Sequence, residues 1–383
     1  MSHFKQLTNV YYADGKTYAA GCWRQGVARQ NPHHYMLGHG KLFAAAHDNI
    51  VPRNMDHLIF HQCPPRNPEN WEWARRVWSI IESEGIAKGL WKPGRPNIIT
   101  LSHQRRHAAE LPARTDLVVC AKRLTIEREG ETLYLGVNHP DMVRHWSGAV
   151  EKLLHESLAT VSTAAPAFRD LTRAACEGCP DSLRIGIFQR SEGRSGRRRI
   201  HNLDEVQAVA ASFTRLPVVF FSITTKTAFE EQLRVFRWLD VIITPHGSQL
   251  ANMLFAPRTV YVELQAARTD TCFARNGRRL AAGYILSVGH LPVQDRLSRH
   301  GMCKLSVERS LIRGCLRREP LNCRRLVNTD LFVNVQRLRA DLAAAVATRC
   351  KASGCVANLP DAVPAPALRS VDLCPNASSC CPG

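Results

Sequence analysis

The sequence predicts a mixed α/β protein, and three features of its second half carry that expectation. Strand-like and helix-like periods alternate, the strand candidates are short and nearly continuous apolar runs, and turn-forming residues separate them. Apolar runs in that order are what a parallel sheet covered by helices on both faces requires. A chain of 383 residues is also long for a single core, so two domains are expected.

In the first half, "HLIFHQ" (57–62) is a strand candidate, followed by "ENWEWARRVWSIIESEG". There Trp73, Val77, Ile80 and Ile81 recur at helical spacing, and Gly85 is the expected stop. The aromatics of "NWEWARRVW" fall at that same spacing, which favours core packing over a stacking surface. "TDLVVCAK" (115–122) reads as a buried strand and "PDMVRHWSGAVEKLLHESL" (140–158) as a helix opened by Pro140. The small-residue stretch "ATVSTAAPA" then reads as a connector, dividing an α/β domain at 1–165 from a Rossmann-like domain at 166–345.

Within the second domain the expected strands are "SLRIGIFQR" (182–190), "LPVVFFS" (216–222), "DVIIT" (240–244) and "TVYVELQ" (259–265), with 216–222 fully apolar. Helices are expected at "NLDEVQAVAASF" (202–213), with Asn202 as N-cap, at "TAFEEQLRVFRWL" (227–239) and from Ser248. The segment "DLFVNVQRLRADLAAAVATRC" reads as a closing helix carrying Val335, Leu338, Leu342 and Val346. Residues 346–383 are expected to form a Cys- and Pro-rich irregular tail.

The formal charge is +18, a field that favours anionic partners: nucleic acid, anionic membrane, nucleotide phosphates or acidic glycans. Fourteen cysteines, clustered toward the C-terminus, fit an oxidising compartment, and the sequon at Asn376 points the same way. "MSHFKQLTNV" has no apolar leader, so either the chain is cytosolic or its targeting segment is absent from this chain, and the cysteines favour the second reading. Cys176 and Cys179 have zinc-type spacing, but no second pair follows and they read as disulfide-bonded linker cysteines.

"DVIITPHGSQLANMLFAP" (240–257) places a histidine where an apolar strand gives way to a helix. Open α/β sheets bind ligands outside the carboxyl ends of their strands, where helix N-termini attract anions. There Gly247 lets backbone approach a ligand, Ser248 can cap the helix and His246 can donate to a phosphate. A turn with a locally satisfied histidine is the other reading. Arg190 ends one neighbouring strand and can pair with a diphosphate, and Glu263 ends another and can accept from ribose hydroxyls. Their convergence on one sheet edge points to a nucleotide or similar anion.

"RIGIFQRSEGRSGRRRIHNLDEV" followed by "FEEQLRVFRWLDVIITPHGSQLANMLFAPRTVYVEL" resembles glycosyltransferase family 61. That family carries a strand-ending Arg, an R-x-I-x-N-x-x-E/D stretch and an H-G-A-G-L-x-N-x-x-F-x-P motif before a strand ending in Glu. Arg190, Arg199, Asn202, His246, Gly247, Leu250, Asn252, Phe255, Pro257 and Glu263 are assigned to these positions, with Ser248 and Gln249 replacing Ala-Gly. "LTNVYYADGKTYAA" and "NPHHYMLGHGKLFAAAH" resemble earlier parts of the family, extending the likeness over roughly 7–345.

The resemblance implies a GT-B architecture, two Rossmann-like domains facing across a cleft, and an inverting transfer from a UDP-sugar to a hydroxyl of a glycan or glycoprotein. Xylose, N-acetylglucosamine and arabinose donors all occur among such relatives. Donor contacts would fall to Arg190, Arg199, Asn202, His246, Gly247, Ser248, Asn252 and Glu263, with no metal expected. The acceptor-side base would be His34, with His33, His39 and Asp48 as alternatives, because "YMLGHG" has no carboxylate where the family often places one. Golgi or endoplasmic reticulum lumen is the implied compartment. Two competing readings are an inactive relative and a basic, cysteine-rich nucleic-acid-binding protein working through Arg194, Arg197, Arg198 and Arg199. The residues do not specify an oligomeric state.

Overall fold

The structure is a computed structural model that describes residues 9–21, 54–61, 72–91, 97–101, 117–126, 148–152, 183–190, 198–224, 226–267, 277–278, 281–295, 305–307 and 329–353. The chain divides into two compact units. The first comprises Met1–Leu158, Thr225–Glu231 and Ser248–Leu254; the second comprises Ala159–Thr224, Gln232–Gly247 and Phe255–Gly383.

In the first unit, β1 (Asn9–Gly21), β2 (His57–His61), β3 (Asn97–Leu101) and β4 (Leu117–Ile126) form a parallel sheet in the order β3-β2-β1-β4. Helix α1 (Glu72–Ala87) buries Trp73, Val77, Ile80 and Ile81, the stripe its spacing predicts. Gly85 does not end this helix. It lies inside the last turn, where the Trp91 indole occupies the space a Cβ would need. The stop is Gly89, whose φ of +66° suits glycine, with Leu90 N–H donating to Gly85 C=O and Gly89 N–H to Ile86 C=O.

In the second unit, β5 (Ile185–Phe188), β6 (Val219–Phe221), β7 (Val241–Pro245), β8 (Val260–Gln265) and β9 (Gly283–Val288) pair throughout in parallel, in the order β6-β5-β7-β8-β9. The mixed α/β class with a parallel sheet is therefore what the alternating pattern predicts. Ile187, Ile243 and Val262, adjacent in register, join one core with Val206 and Val209 of α2 (Leu203–Ala211) and Leu338 and Leu342 of α4 (Val335–Ser353). On the opposite face, Phe221 and Tyr261 pack on Phe236 of α3 (Phe229–Trp238). The central strands are buried on both faces, which is why they read as unbroken apolar runs.

Two expectations fail at the margins of this sheet. The 216–222 run forms only the three-residue edge strand β6, and Phe220 is 39% exposed because an edge strand lacks a neighbour on one side. The closing helix begins later than expected. Asp330–Phe332 instead forms β12, paired with β10 (Leu291–Asp295) in the antiparallel order β11-β10-β12, where β11 is Leu305–Val307. The Asn334 side chain then caps α4 by accepting from Arg337 N–H at 3.0 Å. This helix runs on to Ser353, past residue 346 where an irregular tail was expected; 354–383 lie outside the described residues.

Below the sheet, Asp240 accepts from the guanidinium groups of Arg184 and Arg349, tying the start of β7 to the end of α4. Burial works against its charge, but these bonds hold its carboxyl below the usual aspartate range.

His290 is buried in the turn from β9 to β10, with its Nδ1 accepting from Asn334 N–H at 3.1 Å and its Nε2 against Ser287 Oγ at 3.0 Å. Nδ1 as acceptor fixes the neutral tautomer protonated at Nε2, which donates to the hydroxyl. Burial first, and the nearby Arg337 charge second, depress its pKa to about 3. An imidazole kept neutral in the fold contributes stability above its unfolded pKa of about 6.5, and that contribution is lost as pH falls toward the folded value. Denaturant titrations should therefore show about 2 kcal/mol lost between pH 7 and pH 5 from this group, with a shallower slope in His290→Asn.

Candidate functional site

From β5 the chain crosses α2 to β6 on one side, then returns across α3 to β7 on the other. The carboxyl ends of β5 and β7 therefore flank a topological switch point, the place where open parallel sheets bind ligands. Gln189 and Arg190 follow β5 there, and His246 and Gly247 follow β7.

The segment before α2 is fastened to this edge from two directions. Gln189 brackets Ile200 by donating from Nε2 to its C=O at 3.0 Å and accepting at Oε1 from its N–H at 3.1 Å. On the other side the segment pairs with β12, Leu331 N–H donating to Arg199 C=O at 2.8 Å and His201 N–H to Leu331 C=O at 2.9 Å. Asp330 completes the clamp, accepting from the Arg199 backbone N–H at 2.8 Å and guanidinium at 3.3 Å and contacting His201 Nε2 at 3.2 Å. Partial burial would raise this carboxyl, but His201 and Arg199 hold it below the ordinary aspartate value.

Held in this way, Arg198 adopts a φ of +77°, a left-handed conformation uncommon for a residue with a Cβ. Its guanidinium donates to His246 C=O at 3.1 Å, so the two strand ends are bridged. Burial, then the adjacent Arg190 charge, lower the Arg198 pKa to about 10 against the pull of Glu263. Burial also lowers Arg190, opposed by Asp330. Two partly buried guanidinium groups that act on each other repel, and an anion at these strand ends would relieve that repulsion.

His246 itself is oriented from within the sheet, its Nδ1 lying 2.5 Å from Glu263 Oε1. Glu263 has no exposed surface and also accepts from the Tyr284 hydroxyl and from Gln265 Nε2 at 3.0 Å. Burial alone would raise its pKa, but the bond and charge of His246, then Tyr284 and Gln265, keep it below the usual glutamate value. An ionised carboxylate here makes Nδ1 the donor, so Nε2 is the nitrogen with which His246 can meet a ligand.

The geometry reassigns several residues expected from sequence. Glu263 lies inside β8 rather than at an open strand end, and its carboxylate is occupied by protein donors. Asn202 makes no capping bond; its amide donates to Val333 C=O and accepts from Val333 N–H, both at 2.8 Å. Arg199 faces Asp330, and the guanidinium beside His246 is that of Arg198. Counting R-x-I-x-N back from Ile200 and Asn202 reaches Arg198, so the spacing contained this signal. The supporting roles of Tyr284, His201 and Asp330 had no sequence signal, since each depends on a partner distant in sequence, whereas Gln265 stands two residues from Glu263 on the same face of β8.

Ser248 opens a 3₁₀ helix (Ser248–Phe255) rather than an α-helix, and Ser248 and Asn252 belong to the first unit. There Asn252 is fully buried and accepts from the Trp73 indole Nε1 at 3.1 Å. His33, His34, His39 and Asp48 lie outside the described residues, as do Arg194, Arg197, Cys176 and Cys179. Among the described residues no group of three or more His, Cys, Asp or Glu side chains is gathered to hold a metal ion, and no helix is long and apolar enough to cross a membrane.

A parallel sheet with two partly buried arginines and a carboxylate-oriented histidine at its switch point defines an α/β protein whose strand ends suit an anionic ligand. The Glycosyltransferase 61 family model matches residues 45–262, more than half of the chain, and this protein belongs to that family. It is therefore a glycosyltransferase, and the family implies a nucleotide-sugar donor and a glycan acceptor in general. The matched stretch is shorter than the 7–345 suggested by the motifs. No curated protein matches the chain.

Replacing Glu263 by Ala removes the common acceptor of three groups, and we expect a loss of about 3 kcal/mol in urea denaturation. Tyr284→Phe, which removes one donor and leaves the rest, should cost about 1 kcal/mol. Equal losses in the two variants would show that the carboxylate is not the organising group.

Proposed function

We propose that this chain is an inverting glycosyltransferase that binds a UDP-sugar with its diphosphate at the β5–β7 switch point. The observation that carries this reading is the placement of Arg190, Arg198 and His246 at these strand ends, the two arginines partly buried and the histidine oriented by Glu263. The acceptor hydroxyl attacks the anomeric carbon from the face opposite the nucleotide. The bond to the diphosphate oxygen breaks, UDP departs with the bonding electrons, and the hydroxyl proton passes to a base. The two guanidinium groups and His246 Nε2 meet the charge that develops on the leaving diphosphate, so this step needs no metal ion. His34 remains the candidate base, with His33 beside it, and the acceptor is a hydroxyl of a glycan or glycoprotein.

A GT-B arrangement of two Rossmann-like domains suits this chemistry, with one domain supplying the donor site and the other the acceptor side. Xylose, N-acetylglucosamine and arabinose remain the candidate sugars. A Golgi or endoplasmic reticulum location is supported by the fourteen cysteines and by the disulfide at Cys350.

Calorimetric titration with UDP tests the donor site. Saturable binding should weaken roughly tenfold to a hundredfold in His246→Ala and Arg198→Ala, and less in Arg199→Ala, whose guanidinium faces Asp330. His34→Ala should retain UDP binding and lose transfer. A folded protein that ignores UDP but binds RNA with a steep salt dependence would replace this reading with the nucleic-acid one.

A further inference from the structure

One strand away from the switch point, a pocket of about 500 Å³ opens at the carboxyl ends of β5 and β6, beside the start of α2. Its volume lies within the range of small-molecule sites. Gln189 forms part of the wall, but its amide is committed to Ile200 on both sides and is unavailable for recognition. Arg199 and His201 also line it and are both tied to Asp330, which offsets the charge of Arg199. Leu203 and Phe220 supply apolar surface, and Ser222 supplies a hydroxyl just beyond β6.

These features separate the pocket from the switch point in chemical character. At the switch point, Arg198 donates to His246 C=O and Arg190 follows β5, and two partly buried guanidinium groups at these strand ends suit a multiply charged diphosphate. In the pocket a carboxylate offsets the charge of Arg199 and an aromatic ring is offered to the opening, which suits the uncharged part of a nucleotide. Arg190 lines the pocket and is also the neighbour whose charge acts on Arg198, so it stands where the two regions meet. The chain order adds a third argument. β5–α2–β6 is the first strand–helix–strand unit of this sheet, and in such mononucleotide-binding units the ribose lies near the end of the second strand.

Phe220 is one of the few large apolar side chains left exposed among the described residues. It is paired in register with Ile187 on the edge strand. Bases stack on exposed aromatic rings because every base presents a π-face.

We propose that this pocket is the nucleoside subsite of the donor, with the pyrimidine stacked on Phe220 and the ribose at Ser222. The proposal rests on the donor-site reading above and assigns the nucleoside end of the same ligand.

Calorimetry with three ligands separates the two ideas: UDP, uridine monophosphate and inorganic pyrophosphate. Phe220→Ala should weaken UDP and uridine monophosphate roughly tenfold or more while leaving pyrophosphate unchanged. Phe220→Tyr, which keeps the ring, should bind all three as the parent protein does. His246→Ala should weaken pyrophosphate and UDP together. Thermal melts of each variant establish that it is folded. UDP binding that is unchanged in folded Phe220→Ala would overturn the subsite while leaving the donor site intact. A parent protein that binds neither UDP nor pyrophosphate would overturn the donor-site reading and the subsite with it.

Discussion

The carboxylate of Glu263 has no contact with solvent, and the site of this protein is arranged around that fact. A buried charge is tolerated only when it is fully hydrogen-bonded. Here the donors come from the chain after β7, from β8 itself and from β9. Satisfying one carboxylate therefore ties three neighbouring strands together. His246 inherits its orientation from this requirement, since its Nδ1 is one of the donors.

Asp330 imposes a second constraint of the same kind. It draws Arg199 and His201 toward β12, and that strand pairing anchors the segment carrying the strained Arg198 backbone. The result is a division of labour among neighbouring arginines. Arg199 pairs with Asp330, while Arg198 reaches His246 C=O and feels the charge of Arg190, both partly buried. The net charge of the chain does not explain this local field; the placement of two carboxylates does. The same placement underlies the proposed division between a diphosphate at the switch point and a nucleoside in the adjoining pocket.

Much of the scaffold was legible because burial leaves a periodic trace. The apolar runs at 240–244 and 259–265 appear as central strands, and the Trp73–Ile81 stripe appears as the buried face of α1. The errors share a cause. Gly85 resembles a helix stop until Trp91 is seen against it, and the 216–222 run resembles a buried strand until β6 is seen at the sheet edge. Asn202 resembles an N-cap, but Val333 offers its amide a donor and an acceptor together, 131 residues away in sequence. Local pattern records the preference of a residue and not the partner that competes for it.

The sequence by itself determined the α/β class, the strands and helices that build the parallel sheet, and the motif spacing that belongs to glycosyltransferase family 61. Those properties follow from local periodicity and from the order of residues along the chain. Only the tertiary structure decided which charges meet. It set Glu263 against His246 and Tyr284, Asp330 against Arg199 and His201, and Arg198 beside Arg190. The physical reason is that the energy of a charge depends on its burial and its nearest partners, and the fold draws those partners from strands far apart in sequence.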